Sequence, residues 1–287
     1  MSLENITMDC SKIIDNLKQS IKTATKKIYS KQSYILSLLI TQDNSTLYND
    51  LDLLTDELAE DYKINIEKTV DLTGIKENIF SKITELNNDE RLGGIYIDDL
   101  DLDLLNYESV IYSMVHPSKD VGALNVVNSG LLFYEQQLIL PPKVSSIIKI
   151  LDNLNIQLAG QYIVIINKSA RLGKPLSLTL LQKNVNVALL DVQMTDFKKI
   201  CKNASIVISG IDQPNSLKSS LLKKDTILID TGDYFNEQAN LYIEDNENIT
   251  LAQYIDPASI KELTLLFILY NFLRVIFFNN SDKFDEE

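Results

Sequence analysis

The stretch from Gly160 to Asp191 constrains the fold more than any other part of the sequence. It holds two continuous apolar runs, Tyr162–Ile166 and Val185–Leu190, which are rich in β-branched residues and have the length of strands. A helix pattern begins between them at about Gly173, with Pro175 in the first turn, where a missing N–H is tolerated. Because a helical crossover returns the chain to the same edge of the sheet, the stretch predicts a parallel βαβ unit.

The ends of this unit carry residues that suit a dinucleotide. A helix N-terminus at the end of a parallel strand offers backbone donors to phosphate. Asp191, 22 residues after Ser169, lies where a carboxylate accepts both ribose hydroxyls of NAD and repels the extra phosphate of NADP. The turn NKSARLG lacks the GxGxxG pattern, however, and Gly173 is its only glycine. Both a nucleotide site and a purely structural βαβ unit therefore remain open.

The composition limits the class of protein. The chain has 287 residues, 45% of them hydrophobic, which suffices for one large or two ordinary domains. A formal net charge of −13 argues against nucleic acid or an anionic membrane as a partner, since a negative field repels phosphates. Two cysteines and an N-terminus without an apolar leader predict a cytoplasmic protein. The most apolar stretch, Leu263–Phe278, is too short to span a membrane, so we expect a buried terminal helix.

Several chemistries find no support in the sequence. His116 is the single histidine, so a histidine-based metal site or catalytic triad is not expected. There is no CxxC, P-loop or GxSxG pattern. The acidic run Asp98–Asp103 fits either a solvated loop or a metal site, and its alternation favours the loop. We therefore expect no metal.

Helices and strands alternate along the whole chain, which predicts the α/β class. We place a domain boundary at Leu140–Pro142, giving a substrate-type α/β domain at 1–140 and a doubly wound dinucleotide-binding domain at 141–259. The C-terminal helix, 260–287, is expected to pack on the first domain. In the second domain the ligand edge is the carboxyl ends of the strands, where Asp191, Ser209, Gly210 and Gly232 fall.

The individual elements follow from periodicity and turn residues. Asp43, Asn44 and Ser45 are predicted to cap the second helix. The predicted helices are 6–28, 45–61, 74–86, 107–115, 128–133, 143–154, 173–181 and 195–202, and the predicted strands are 33–41, 64–72, 94–97, 162–166, 185–190, 205–209 and 226–229.

Five segments resemble, in the correct order, motifs of the methylenetetrahydrofolate dehydrogenase/cyclohydrolase family. KDVGALN (119–125) is similar to KDVEGLN, and INKSARLGKP (166–175) is similar to INRSEIVGRP. ASIVISGIDQP (204–214), TILIDTG (226–232) and PASIKELT (257–264) resemble ADIVIxAxGxP, AxVIDxG and PGGVGPMT. The resemblance implies a two-domain fold, an N-terminal folate-type α/β domain and a Rossmann-like domain.

The cofactor half resembles the NAD-dependent, dehydrogenase-only branch of that family, whose turn reads INRS and whose next strand ends in VD. Here the turn reads IINKS, with Lys168 for the arginine, and the strand ends in LLD at Asp191. The resemblance implies NAD as cofactor, with NADP disfavoured by Asp191. The implied cofactor-binding residues are Asn167, Lys168, Ser169, Asp191, Ser209 and Gly210.

The folate half departs from the family pattern. Tyr48 matches the family's tyrosine, but Asp52 stands at the position of its catalytic lysine, Asp98 at that of a glutamine, and Gly122 at that of an acid. Because an aspartate has the opposite charge, we expect cyclohydrolase activity to be lost. The resemblance implies catalytic positions at Tyr48, Asp52 and Asp120, and contacts to a tetrahydrofolate derivative from Tyr48, Asp98, Pro257 and Thr264.

Further departures lie at Ala258 and Ser259, which replace a Gly-Gly, and at Asp212, which replaces a glycine. Two functions follow as hypotheses. One is an NAD-dependent methylenetetrahydrofolate dehydrogenase of one-carbon metabolism, expected as a homodimer; the other is a catalytically inactive relative that serves as a binding or regulatory subunit. Another NAD-dependent oxidoreductase with a different substrate is a third.

Each candidate residue also has a structural interpretation. The ring of Tyr48 fits the core face of an amphipathic helix, and Asp120 fits a turn that bonds local backbone. Lys168 and Ser169 fit ordinary turn residues equally well.

Overall fold

The computed structural model describes residues 5–42, 45–59, 62–191, 197–211, 216–232, 241–242 and 251–281. The chain forms two compact units. The three-stranded unit comprises residues 15–142 and 265–287, and the five-stranded unit comprises residues 1–14 and 143–264.

The three-stranded unit alternates helices with strands. Up to residue 133 the elements are α1 (Ser11–Tyr29), β1 (Ile35–Ile40), α2 (Leu47–Leu58), β2 (Asn65–Val70), α3 (Lys76–Asn88), β3 (Leu92–Ile97), α4 (Glu108–Met114) and α5 (Val126–Phe133). The strands form a parallel sheet in the order β2-β1-β3. The central strand reads ILSLLI and is almost wholly buried, whereas the edge strand reads NIEKTV and is partly exposed, as expected of centre and edge positions.

The five-stranded unit contains the predicted βαβ stretch. From residue 142 onward the elements are α6 (Pro142–Asn153), β4 (Tyr162–Ile166), α7 (Gly173–Gln182), β5 (Asn186–Leu190), α8 (Phe197–Cys201), β6 (Ile206–Ser209), β7 (Leu217–Lys218), β8 (Ile227–Asp230), β9 (Leu241–Tyr242), β10 (Gln253–Ile255) and α9 (Pro257–Asn279). The sheet is parallel with the order β10-β8-β6-β4-β5, so β5 and β6 flank β4 on opposite sides. The predicted α/β fold with a doubly wound sheet is confirmed.

The N-terminus differs from the expectation that residues 1–140 form one domain. Residues 1–14 belong to the five-stranded unit. The reason is a parallel bridge between Thr7 and Tyr254, in which Met8 N donates to Tyr254 O at 2.8 Å and Tyr254 N donates to Ile6 O at 2.9 Å. Helix α1 correspondingly begins at Ser11, five residues after the predicted start.

Other differences are small. Strand β10 and the two-residue pair of β7 with β9 had no sequence prediction, because segments of two or three residues carry no periodicity. The C-terminal helix begins at Pro257, three residues before the predicted start. The expected capping residues Asp43 and Asn44 and the expected helix start at Thr195 lie outside the described residues.

The acidic run after β3 is only in part the solvated loop that the sequence favoured, since Asp103 is exposed and Asp99 and Asp101 are half-buried. Asp98 is buried, and its Oδ2 accepts a hydrogen bond from Ser45 Oγ at 2.5 Å. Asp101 caps a 3-10 helix over Leu102–Tyr107, since its Oδ1 accepts from Leu102 N at 2.8 Å. Within the described ranges no group of three acidic, histidine or cysteine side chains has the geometry of a metal site.

The C-terminal part of α9 packs inside the three-stranded unit. Asn271 is buried there, and its Nδ2 donates to Val121 O at 3.1 Å and to Leu140 O at 2.8 Å. A Cβ added at Gly94 on β3 would lie 2.8 Å from the Phe272 ring, so glycine lets this helix approach the strand. Of the helices in the described part of the chain, none is long and apolar enough to cross a membrane.

Candidate functional site

The carboxyl ends of β4 and β6 meet at the point where the strand order reverses. In open parallel sheets of this kind, ligands bind at that crevice. Asn167 follows β4 and Gly210 follows β6, and Asn167 Nδ2 donates to Gly210 O at 2.8 Å. The Asn167 side chain therefore ties together the two strand ends that border the candidate site.

The turn between β4 and α7 is closed by its own side chains. Asn167 Oδ1 accepts from Ser169 N at 2.9 Å and from Ser169 Oγ at 2.7 Å. Ser169 Oγ in turn accepts from Leu172 N at 3.1 Å. Asn167 and Ser169 thus fix the path of the chain into the helix, in the way Asx turns do.

Two glycines allow backbone to approach closely around this turn. A Cβ at Gly173 would overlap the carbonyl oxygen of Asn167, so no other residue fits the observed path. A Cβ at Gly210 would lie 2.7 Å from Leu172 and 3.0 Å from Asn167 Cβ. One glycine at the start of α7 and one directly after β6 therefore allow close packing around the turn, a role that the GxGxxG pattern gives to its third glycine.

The N-terminus of α7 offers few free donors. Lys174 N already donates to Ser169 O at 3.2 Å, and Pro175 has no N–H. A phosphate at this end would meet fewer backbone amides than at a glycine-rich turn. The helix dipole is present, but the donor set is reduced.

Asp191 and Lys168 form an ion pair across the ends of β5 and β4. Lys168 Nζ lies 2.5 Å from Asp191 Oδ2, and the two side chains are 58% and 36% exposed. Exposed pairs contribute about 0–1 kcal/mol, so the carboxylate can exchange the ammonium for another partner. The pair places one negative and one positive group where a nucleotide ribose is expected.

Asp230, at the end of β8, was not singled out from the sequence, although it lies in the TILIDTG segment. It is fully buried, and its carboxylate accepts hydrogen bonds from Gly232 N and Leu241 N, each at 2.9 Å. Tyr254 Oη donates to Asp230 Oδ2 at 3.3 Å. Asp230 thus holds the chain in place beside Ser209, the last residue of β6. Ser209 is buried, and its carbonyl accepts hydrogen bonds from Thr231 N and Thr231 Oγ1.

The first turn of α9 is capped by its own side chains. Asp256 Oδ1 accepts from Ser259 N at 2.9 Å, and Ser259 Oγ donates to Asp256 Oδ2 at 2.8 Å. Pro257 occupies the first helical position, as is usual for proline. Thr264 is buried and lies 3.3 Å from Ser146 Oγ, so its hydroxyl bonds within the five-stranded unit.

Asp52, at the position of the family lysine, is ion-paired. Lys63 Nζ lies 2.8 Å from Asp52 Oδ1 and 2.9 Å from Asp56 Oδ1. These hydrogen bonds, first that to Asp52, raise the pKa of Lys63 above its ordinary value. The ring of Tyr48, one turn earlier on α2, lies under Lys68, whose Nζ is 5.8 Å from the ring centroid. Position 52 therefore carries a carboxylate that shares one ammonium with Asp56.

Asp120 is buried in the turn after the Pro117–Lys119 3-10 helix. Its Oδ2 accepts from Asn125 N at 2.7 Å and from Asn128 Nδ2 at 2.9 Å. Burial raises the pKa of the Asp120 carboxyl, and these hydrogen bonds oppose the rise. The geometry is that of a residue that shapes a turn, and a catalytic role for Asp120 remains a prediction.

The structure brings the predicted residues together in two groups. Asn167, Lys168, Ser169, Asp191 and Gly210 share the carboxyl edge of the five-stranded sheet. In the other unit, Asp98 directly follows β3 and bonds Ser45, three residues before Tyr48. Asp212 lies outside the described residues. The Lys63–Asp52 pair had no sequence signal, since it depends on three-dimensional geometry. The Asp256–Ser259 cap was missed, although an aspartate directly before a proline is a signal for a helix start.

A parallel five-stranded sheet with a strand-order reversal at β4 and a carboxylate at the end of β5 defines a Rossmann-like α/β protein. Residues 141–279 match the tetrahydrofolate dehydrogenase/cyclohydrolase NAD(P)-binding domain. A curated relative, the bifunctional protein FolD of Clostridium perfringens (strain SM101 / Type A), is 29% identical over 222 residues, which cover 76% of this chain and 78% of the relative. The chain is thus similar to proteins of the methylenetetrahydrofolate dehydrogenase/cyclohydrolase family, as its motifs predicted.

Solved structures share the fold of both units. The methylenetetrahydrofolate dehydrogenase-cyclohydrolase (FolD) of Trypanosoma brucei, complexed with NADP and an inhibitor, superposes with a TM-score of 0.81 at 18% identity, covering 96% of this chain and 98% of that one. The NAD-dependent 5,10-methylenetetrahydrofolate dehydrogenase of Saccharomyces cerevisiae gives a TM-score of 0.76 at 19% identity, covering 97% and 99%. At such identity the likeness concerns the fold.

Proposed function

We propose that this protein is an NAD-dependent methylenetetrahydrofolate dehydrogenase of one-carbon metabolism that lacks cyclohydrolase activity. The observation that carries the proposal is the position of Asp191, at the end of β5 and beside the turn that follows β4. A carboxylate at that position in a Rossmann-like sheet selects the ribose hydroxyls of NAD over the phosphate of NADP.

The residues at this edge fit a dinucleotide. Asp191 accepts the ribose hydroxyls once it exchanges its exposed contact with Lys168, and Gly173 and Gly210 keep the backbone close around the turn. The cofactor, when bound, accepts a hydride from the one-carbon unit, which leaves methenyltetrahydrofolate and NADH. Because hydride transfer depends mainly on positioning, it asks little acid-base chemistry of the protein.

The cofactor preference rests on Asp191 and not on the comparisons, since one similar structure is named for NAD and another holds NADP. The test follows the formation of NADH or NADPH, separated from the folate product, with methylenetetrahydrofolate and either cofactor. We expect turnover with NAD to be at least ~10-fold faster than turnover with NADP. A tenfold ratio corresponds to about 1.4 kcal/mol of discrimination between the two cofactors. Equal turnover, or NADP-dependent turnover alone, would contradict the preference.

Loss of cyclohydrolase activity is supported by the chemistry at positions 52 and 98. The ammonium near position 52 belongs to Lys63 and lies between two carboxylates, Asp52 and Asp56. Asp98 accepts from Ser45, whereas the family's glutamine would offer an amide donor. We expect methenyltetrahydrofolate to hydrolyse at the buffer rate in the presence of the protein, as followed by its absorbance, and a clear acceleration would refute the loss.

An inactive relative that acts as a binding or regulatory subunit is the second candidate. Two observations favour it, the capped first turn of α9 at Asp256 and Ser259 and the reduced donor set of α7. Copurification from the native source separates the two candidates. A homogeneous, active homodimer in the cytoplasm supports the dehydrogenase, and constant association with an active homologous chain supports the subunit.

A further inference from the structure

A cavity of about 410 Å³ in the three-stranded unit lies apart from the candidate site. It is formed by α1, α9 and the segment around Leu138, and none of the predicted site residues lines it. Its volume falls within the range of small-molecule pockets. It therefore has the size to hold a ligand of its own.

The cavity has an apolar interior and an aromatic rim. Seven of its nine lining residues are apolar or aromatic. Ile28 and Leu273 are almost fully buried, whereas Phe278 at the rim is 63% exposed. An exposed phenylalanine beside a concave apolar surface favours a ligand that removes it from water.

The remaining two lining residues are both cations, Lys27 and Arg274. The Lys27 ammonium lies 4.9 Å from the centroid of the Phe277 ring, and the Arg274 guanidinium lies 5.9 Å from that of Tyr270. Within the described ranges neither cation has an acidic partner at ion-pair distance. In a chain with a net charge of −13, a pocket lined by two cations and no acid is a local reversal of charge.

We propose that this cavity binds an amphipathic carboxylate of the fatty-acid type. The alkyl chain would occupy the apolar interior, and the carboxylate would replace water at Lys27 and Arg274. A guanidinium binds a carboxylate through two parallel hydrogen bonds, which favours this head group over an alcohol or an amine. The proposal is independent of the dehydrogenase function.

Calorimetric titration of the full chain with decanoate tests the proposal, with decanol and decylammonium as neutral and cationic analogues. We expect saturable decanoate binding with a dissociation constant on the order of 100 μM, which is within the ligand-efficiency bounds for a molecule of this size. Decanol should bind at least ~10-fold more weakly, since it lacks the charged head. Absence of saturable binding up to about 1 mM, or equal binding of decylammonium, would overturn the proposal.

Substitutions in the cavity test whether decanoate binds there. The double variant Lys27→Glu/Arg274→Glu should weaken decanoate binding at least ~10-fold by reversing the charge at the rim. Ala24→Trp, which fills the cavity, should weaken decanoate and decanol alike. Lys12→Glu, also on α1 but outside the cavity, is the matched control and should leave binding unchanged. Equal losses with Lys12→Glu would show nonspecific attraction and contradict the site.

A second copy of the chain is the competing occupant. Sedimentation velocity on the unmodified chain and on Lys27→Glu/Arg274→Glu distinguishes the two. An unchanged sedimentation coefficient supports a ligand pocket. If the substitutions dissociate an oligomer and decanoate does not bind, the surface is a self-association interface and the proposal is wrong.

Discussion

Gly173 is the residue at which the candidate cofactor turn is most sensitive to change. Its missing side chain lets α7 start directly against the Asn167 carbonyl, and Asn167 in turn bonds the end of β6. The sequence marked Gly173 as the single glycine of the turn. The sequence could not indicate that the Asn167 carbonyl oxygen, at the other side of the same turn, occupies the space of a side chain at position 173.

The substitution Gly173→Ala should lower the free energy of unfolding by about 3–5 kcal/mol, because the backbone must move to relieve the overlap. Gly130→Ala on α5 is the matched control. No atom lies within 4 Å of the position of its added Cβ, so this change should be neutral or stabilising by up to about 1 kcal/mol. Urea unfolding of both variants measures the difference, and similar effects would contradict the packing argument.

The contact between Tyr254 and Asp230 should make the free energy of unfolding depend on pH in the alkaline range. Burial, and then the nearby Asp230 carboxylate, raise the pKa of the Tyr254 phenol above its ordinary value of 10. Above pH 10 the unfolded chain loses this proton while the folded chain keeps it. The free energy of unfolding should therefore fall by up to about 1.4 kcal/mol per pH unit from this group, and remain unaffected below pH 10.

In Tyr254→Phe this fall should be smaller between pH 10 and 11, as measured by urea unfolding at each pH. A constant loss from the missing hydrogen bond to Asp230 is expected at every pH and does not alter the slope. Tyr134→Phe, at a residue 73% exposed, is the control. Identical slopes in Tyr254→Phe and the unmodified protein would show that the phenol does not titrate as inferred.

Helix α9 depends on a buried amide. Asn271 is a buried polar residue in the apolar stretch that the sequence assigned to a buried helix, and its Nδ2 donates to two carbonyls of the three-stranded unit. Asn271→Ala should lower the free energy of unfolding by about 2–3 kcal/mol, because both carbonyls lose a buried donor. Asn280→Ala, which removes a bond from the residue after this helix to the Ile276 carbonyl in its last turn, should cost less than about 1 kcal/mol. Comparable losses in thermal or urea unfolding would contradict the role of Asn271.

The elements that the sequence predicted well are those with a strong pattern. Strand β4 has the predicted bounds because YIVII is continuous, rich in β-branched residues and paired on both sides in its sheet. The same reasoning failed for β10, a three-residue strand centred on Tyr254, and for residues 1–14, whose place depends on one bridge from Thr7. Short pairings are set by tertiary contacts and leave no period in the sequence.

The candidate site likewise has features that the sequence predicts and features that only the structure shows. The turn at Asn167–Ser169 and the carboxylate at Asp191 follow from strand ends, which the sequence locates. The Lys168–Asp191 contact depends on the register of β4 with β5, and the Lys63–Asp52 contact joins α2 to the loop before β2. Side-chain partners of this kind determine which charge a ligand meets. They can be identified from the structure but not from the sequence.

Taken across the whole chain, the two units hold different halves of the proposed chemistry. The family match from residue 141 to 279 covers the cofactor half, where Asp191 retains an interpretable role. The departures at Asp52 and Asp98 lie in the other unit. Cofactor binding can therefore be tested without any assumption about the folate half.

The most direct test is calorimetric titration of the full chain with NAD and with NADP. We expect saturable NAD binding with a dissociation constant below about 1 mM and NADP binding at least ~10-fold weaker. In Asp191→Asn, which leaves Lys168 without its carboxylate, NAD should bind ~10-fold more weakly and NADP more tightly, whereas Asp225→Asn at an exposed turn should change neither. Absence of NAD binding at millimolar concentration, or an unchanged preference in Asp191→Asn, would contradict the assignment of Asp191.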